Sequence, residues 1–246
     1  KKNGQNRHIR ISLAYVIMII LIWIPMARRK SLAFLDVGQG DCFVADTKSG
    51  AIIFDGGSSS EDQVGRYRIL PYMKYLGYQK IQIAVISHMD IDHYSGIKEL
   101  LEMGKIKYLG LPEIPKDETM KKIIGIAKKR GTTIFYLSRG RQITTKDGSL
   151  KVLHPQKNSQ MEKNAASLVM QGKILGYRVL LTGDVEKEGE EELLSEELER
   201  ADILKAAHHG SKNSTSNEFL QKVQPKQTVI SCGKQNRYGH PHLETI

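Results

Sequence analysis

The stretch IAVISHMDIDH, residues 83–93, decides how the rest of the chain reads. Four apolar residues, Ile83 to Ile86, run straight into His88, Asp90, Asp92 and His93. Side chains alternate along an extended chain, so His88, Asp90 and Asp92 are expected on one side, with a turn bringing His93 back to them. Four potential ligands within six residues of a buried strand are not explained by packing. Imidazole and carboxylate together suit Zn, Mn or Fe and need no thiolate. The bland alternative is a polar loop tip with a capping aspartate.

Two later stretches match in kind. VLLTGDVE, Val179–Glu186, is another apolar strand that delivers a carboxylate, Asp184. ILKAAHHGS, Ile203–Ser211, delivers His208 and His209. Alone, Asp184 reads equally as a helix cap and the histidines as a core pair; three strand ends with the same chemistry point to a shared centre. Two metals about 3.5–4 Å apart need a bridging carboxylate, and such sites clamp the attacking and leaving oxygens of a phosphoester. Asp184 is the natural bridge. The tight turns LDVGQGDC (Leu35–Cys42) and FDGG (Phe54–Gly57) add Asp36, Asp41 and Asp55 as residues that orient ligands from behind. For Asp36 and Asp41, turn formation is an equal alternative. RYGHPH, Arg237–His242, sets His240 and His242 beside a proline turn, where they can contact a phosphate or donate a proton.

The 246 residues include 37 Lys+Arg, 27 Asp+Glu and 40% hydrophobic residues, which rules out a disordered chain. Two cysteines, Cys42 and Cys232, exclude a disulfide scaffold and a cysteine-rich zinc module. Free cysteine is the expectation, with a disulfide as the alternative. The net charge of +10 suggests nucleic acid, but residues 1–30 hold seven bases and no acid, leaving +3 for residues 31–246. Within that body, residues 121–151 carry nine Lys/Arg and one acid, a strip that includes Lys128, Lys129, Arg130, Arg139 and Arg141. Residues 184–202 are acidic and read as a solvated helix face. The uncharged run ISLAYVIMIILIWIPMA, Ile11–Ala27, is expected to be a transmembrane helix with basic flanks; a signal sequence and a buried helix are the alternatives. The first residue is Lys rather than Met, so a piece of a longer protein is expected, with the C-terminus possibly truncated.

From Ser31 onward the pattern is mixed α and β in one domain, residues 31–246. Strands are expected at Leu32–Asp36, Cys42–Asp46, Ala51–Phe54, Ile83–Ser87, Ile106–Leu109, Thr133–Leu137, Leu150–Leu153, Ser167–Gln171, Arg178–Thr182, Ile203–Ala207 and Thr228–Ser231. Helices are expected at Val64–Leu76, Ile97–Met103, Glu118–Lys129, Glu188–Glu199 and Asn217–Val223.

These motifs resemble the metallo-β-lactamase superfamily. SHMDIDH matches its His-x-His-x-Asp-His signature with Asp90 in place of the second His, LTGD its bridging-Asp strand and HHGS its final His motif. More specifically, FLDVGQGDC, the SHxDxDH form, NAASLVM, LLTGDVE, KAAHHGS and RYGHPH occur in the order seen in the C-terminal domain of the competence DNA-uptake channel family (ComEC), across about residues 32–243. The resemblance implies an α+β fold, the four-layer αββα metallo-β-lactamase sandwich, preceded by one transmembrane helix. It implies that His88 and Asp90 hold one metal, that Asp92, His93 and His208 hold the other, and that Asp184 bridges. Asp92, Asp184 and His209 would carry catalysis, with His209 as a substrate or proton-transfer group, and Lys205, Ser211, His240 and His242 would bind substrate. Asn164 and Ser167 stand where the superfamily supplies a further His, so one of two divalent ions is expected to be weakly held. The oxygen-rich set favours Mn over Zn. The family function implied is nuclease action on the non-transported DNA strand during natural transformation. The domain would lie on the extracytoplasmic side of a multi-pass membrane protein, with DNA, membrane and other competence uptake proteins as partners. A small-molecule metallo-hydrolase and a degenerate DNA-binding or gating module are the rival readings.

Overall fold

Strands whose two faces are both apolar dictate the architecture. In Gly50–Phe54, Ala51 and Ile53 point one way and Ile52 and Phe54 the other, and all four are buried. Such a strand must be covered on both faces. The structure is a computed structural model; it describes residues 8, 11–19, 30–162 and 164–246. It divides into two compact units, Lys1–Lys30 and Ser31–Ile246. In the first, residues 11–19 form a helix, α1, whose apolar side chains are exposed. No helix among the described residues is long and apolar enough to cross a membrane, and residues 20–27 of the expected span lie outside the described residues.

The second unit contains two six-stranded sheets. The first runs β1 (Leu32–Phe34), β2 (Phe43–Thr47), β3 (Gly50–Phe54), β4 (Ile81–Val85), β5 (Ile106–Pro112) and β6 (Thr133–Leu137). The second runs, from its far edge, β12 (Gln227–Val229), β11 (Ile203–Lys205), β10 (Tyr177–Leu181), β9 (Val169–Ile174), β8 (Gly148–His154) and β7 (Gln142–Thr145). Each sheet starts as an antiparallel meander and continues with parallel strands, β3 to β6 in one and β10 to β12 in the other. Phe43, Ile52, Phe54 and Val85 of the first sheet meet Leu150, Val152, Met170, Val179 and Leu181 of the second in an apolar core. The outer face of the first sheet packs on α2 (Leu70–Tyr75), α3 (Ile91–Glu102) and α4 (Glu118–Lys129) through Met73, Ile97, Leu100, Met120 and Ile123. The outer face of the second packs on α5 (Lys187–Leu194) and α6 (Asn217–Val223) through Leu193, Phe219 and Val223. The layers are therefore αββα, as expected.

Several elements differ from expectation, among them the helix expected over Glu188–Glu199, which ends at Leu194. β7 was not anticipated, because in QITT only Ile143 is buried and a single inward residue carries no period. The helix expected from Ile97 begins at Ile91, which takes Asp92 and His93 into its first turn. The strand expected to reach Ala207 stops at Lys205, because the following Ala207–Gly210 turn holds His208 and His209 at φ 47° and 54°. That left-handed conformation is costly for residues with a Cβ and persists only where the surroundings enforce it.

Candidate metal centre

β4 delivers Ser87 and His88, and the chain then turns at Asp90 into α3. Asp92 and His93 thus project from a helical turn, not from the extended run expected. Their position is fixed by the two glycine-rich loops. The Asp41 amide donates to Asp92 O (3.1 Å) and the Gly56 amide to His93 O (2.9 Å). A Cβ on Gly57 would lie 2.6 Å from the backbone carbon of Asp92 and the amide nitrogen of His93, so only glycine allows this approach. Gly57→Ala is expected to cost about 1–3 kcal/mol of stability and to weaken metal binding by displacing Asp92 and His93; urea unfolding and Mn2+ titration check it.

Three imidazoles converge, each held through its Nδ1. His93 Nδ1 lies 2.9 Å from Asp55 Oδ2, and His88 Nδ1 3.0 Å from Ser87 Oγ. Ser87 in turn donates its amide (2.7 Å) and hydroxyl (2.8 Å) to Asp55. His209 Nδ1 faces the Ser231 carbonyl at 2.8 Å. All three Nε2 atoms then point to the same place. His93 Nε2 is 3.1 Å and His209 Nε2 3.3 Å from Asp184 Oδ2, and His209 Nε2 is 3.4 Å from Asp92 Oδ2. The ligand atoms of His88, His93 and Asp184 group within 4.8 Å of one another, as do those of Asp92, His93 and His209.

The other predicted residues take varied places. Asp90 lies at the rim, 3.8 Å from His88 Nε2. His208 has its Nε2 4.0 Å from Asp184 Oδ2 and its Nδ1 3.0 Å from Glu186 Oε1. Asn164 donates to that same Glu186 oxygen at 3.3 Å, and Ser167 Oγ accepts from the Asp184 amide at 3.4 Å. Asp41 is buried against Lys205, whereas Asp36 is exposed and closes its own turn by accepting from the Gly38 amide at 3.0 Å. Lys205 is buried and faces Asp41 and Asp184 from behind the centre, away from the cleft. Ser211 Oγ accepts from the Asn213 amide (3.3 Å) and His242 Nδ1 from the Lys212 amide (3.1 Å). His240 lines an open cleft of about 270 Å³ with Asp92, Asp184, His208, His209, Arg237 and Tyr238. Arg237 sits over the Tyr238 ring, 4.8 Å from its centre. Ser87, Glu186 and Ser231 were not anticipated. Ser87 and Glu186 carried a signal, standing inside the quoted motifs SHMDIDH and VLLTGDVE, whereas Ser231 carried none. The basic strip loses Arg139, which is bound to Glu192 (2.8 Å) and Glu196 (2.6 Å). Both cysteines are free.

The residues fit a divalent cation. The buried Nε2 atoms of His88, His93 and His209 have no hydrogen-bond partner, which buried polar atoms rarely tolerate unless a ligand satisfies them. Their Nδ1 partners fix the tautomer that offers Nε2 to an ion. Without an ion, protons take its place. Burial opposes charge on His93, but Asp184 and Asp55 outweigh it and hold the imidazolium well above its ordinary range. Burial likewise opposes charge on His209, and Asp184 and Asp41 push it up to about 10. Asp184 stays far below the usual carboxylate range because His93 and His209 outweigh the cost of burying it. An incoming ion must displace these protons, so Mn2+ affinity is expected to rise with pH, by about tenfold per pH unit for each proton released. The proton-held arrangement is fully stabilising below the unfolded histidine pKa and is lost as pH rises through about 10. Calorimetric titration at about pH 7 and about pH 9 checks the slope; equal affinities would contradict it.

Residues 35–234 match the family model described as the Metallo-beta-lactamase superfamily. The chain belongs to the metallo-β-lactamase superfamily. Proteins of this superfamily are generally hydrolases whose fold typically binds divalent metals, and the described residues include His and Asp groups that could hold such an ion. Among curated proteins, the chain is 35% identical to ComE operon protein 3 of Bacillus subtilis, over 94% of this chain and 32% of that protein. It is 30% identical to Competence protein ComA of Neisseria gonorrhoeae, over 84% of this chain and 27% of that protein. The chain thus spans about a third or less of the curated relatives it matches. Among solved structures it is similar to YhfI of Bacillus subtilis, a metallo-β-lactamase fold protein, with a TM-score of 0.58 and 14% identity over 87% of this chain and 92% of that one. The superfamily fold and the resemblance to the competence proteins both agree with the sequence motifs.

Proposed function

We propose that the domain is a metal-dependent DNA phosphodiesterase, the nuclease part of a membrane protein of DNA uptake that degrades the non-transported strand. The observation that carries the hydrolase part is the convergence of three unpartnered Nε2 atoms on Asp184 and Asp92 at the floor of an open cleft. The DNA part rests on the competence proteins that the chain resembles. Membrane attachment, an extracytoplasmic position and partnership with other uptake proteins belong to the same proposal.

In this reading His88, Asp92, His93, Asp184 and His209 hold divalent metal, Mn2+ by preference, with a second ion weakly held. A divalent ion supplies Lewis-acid polarisation of a phosphoryl oxygen and offsets the charge that develops on it. The chain's own residues do the rest. The shorter distance from Asp184 Oδ2 to His209 Nε2 (3.3 Å) than to His208 Nε2 (4.0 Å) supports taking His209 as a ligand and His208 as the proton-transfer group, the reverse of the expected order. A base positioned by a third group is the usual arrangement for proton transfer, and here Asn164 donates to Glu186, whose Oε1 lies in ion-pair contact with His208 Nδ1 at 3.0 Å. Burial, with His208 next, pulls His240 down to about 4, so it lines the cleft as a neutral imidazole. Arg237 offers a planar fork to a phosphate of the strand.

The test incubates the 246-residue chain with Mn2+ and end-labelled single- or double-stranded DNA, and separately with a β-lactam and a lactone. Metal-dependent DNA cleavage is expected. Turnover of the small substrates without DNA cleavage would support the small-molecule hydrolase, and no turnover of any would support a binding or gating module.

A further inference from the structure

Lys205 is a buried charged side chain at the centre that the proposed chemistry leaves without a role. It is 4% exposed, at the end of β11, and Thr182 Oγ1 anchors its carbonyl at 2.7 Å. Its stem lies between the sheets, beside Phe34, Phe43 and Phe54, where the free space of about 10 Å³ admits no more than one water. Its ammonium therefore has only protein to neutralise. It pairs with Asp41 Oδ2, lies 3.7 Å from Asp184 Oδ1, and donates to Gly183 O at 3.4 Å.

The two oxygens of Asp184 thus face different cations. Oδ2 faces His93 and His209, and Oδ1 faces Lys205. A carboxylate that bridges two metals needs one oxygen for each. We propose that the Lys205 ammonium takes the charge-balancing place of a second divalent ion at this centre, engaging Asp184 Oδ1 and Asp41 so that the centre binds one ion tightly. This rests on the metal-centre reading above and not on the identity of the substrate.

Charge supports it. Four carboxylates meet here: Asp41, Asp55, Asp92 and Asp184. With Lys205 and neutral imidazoles the formal charge is −3, and one dication leaves −1. Without Lys205 the charge is −4, which two dications neutralise. Of the four ligand groups, His88–His93–Asp184 and Asp92–His93–His209 share His93, as one central ion requires, and the other two, Asp41–Asp55–His93 and Asp41–Asp184–His209, both include Asp41, the partner of Lys205. Lys205 is a positioning residue; it touches Asp41 and Asp184 and is not among the residues of the cleft.

The experiment is Mn2+ titration of the full chain, read by calorimetry and by metal analysis after desalting. Wild type and Lys205→Arg are expected to retain one equivalent, and Lys205→Met two, its second binding step at least about tenfold tighter than in wild type, which is about 1.4 kcal/mol. A merely structural lysine would lower metal binding when removed, whereas here uptake rises. Where Lys205→Met does not fold without metal, the charge-balanced Asp41→Asn/Lys205→Met protein tests the same point and is expected to hold one equivalent. Two equally tight ions in wild type, one in folded Lys205→Met, or two in the double variant would overturn the proposal. Failure of the wild-type chain to cut DNA would overturn the substrate assignment and leave this stoichiometry intact.

Discussion

Asp184→Asn is expected to lower metal-dependent phosphodiester cleavage by about a thousandfold or more while the protein still folds. Asp184 is 3% exposed, and one of its oxygens is shared between His93 Nε2 and His209 Nε2 at 3.1 and 3.3 Å. An amide of the same shape keeps the packing around Gly183, where a Cβ would come within 2.9 Å of Ser87, and so keeps the turn. It removes the carboxylate that faces His93 Nε2, His209 Nε2 and Lys205 together. Lewis-acid stabilisation at such centres is worth several kcal/mol, and each 1.36 kcal/mol is a factor of ten in rate; a loss of about 4 kcal/mol gives three decades. The same change relaxes the hold on His93 and His209, whose imidazolium forms depend on Asp184. Metal uptake by Asp184→Asn should therefore depend less steeply on pH than in the parent. Steady-state cleavage with Mn2+ and a metal titration at two pH values measure both consequences. Retention of most activity would remove Asp184 from the centre.

The layers and most ligand-bearing segments were legible because each rests on a local pattern. β3 alternates two apolar faces, and Glu118–Lys129 places Met120, Ile123 and Ala127 on one side and its bases on the other, with Asp117 capping the Met120 amide at 2.7 Å. What was not legible depends on contacts distant in the chain. Period-two alternation placed Asp90 with His88, but the helix that starts at Ile91 gives Asp92 and His93 a different projection. That start is fixed by Gly57 pressing against the Asp92–His93 backbone, which no window around residue 90 contains. Lys205, expected from the resemblance to bind substrate, is buried, and its partner Asp41 belongs to a separate loop. The placement of the His208–His209 pair was likewise invisible: both residues are left-handed, and the Ser231 carbonyl lies 2.8 Å from His209 Nδ1.

That pair supplies the sharpest test of the site. His209→Ala should abolish tight Mn2+ binding, and with it about three decades of activity, because it removes an Nε2 that lies 3.3 Å from Asp184 and 3.4 Å from Asp92. His208→Ala should bind Mn2+ as the parent does and still lose about 10²–10⁴-fold in kcat, the range for removing a proton-transfer group. The physical reason lies in what each Nδ1 meets. A backbone carbonyl fixes His209 as a rigid donor of Nε2, as a metal ligand needs. A carboxylate oxygen of Glu186, not a backbone carbonyl, stands at 3.0 Å from His208 Nδ1, and His208 lines the open cleft. Glu186→Gln should then reproduce part of the His208→Ala loss in kcat with KM and metal uptake unchanged. If His208→Ala lost the ion and His209→Ala kept it, the ligand assignment would revert to the order read from the sequence, and the Asn164–Glu186–His208 chain would have no catalytic part to play.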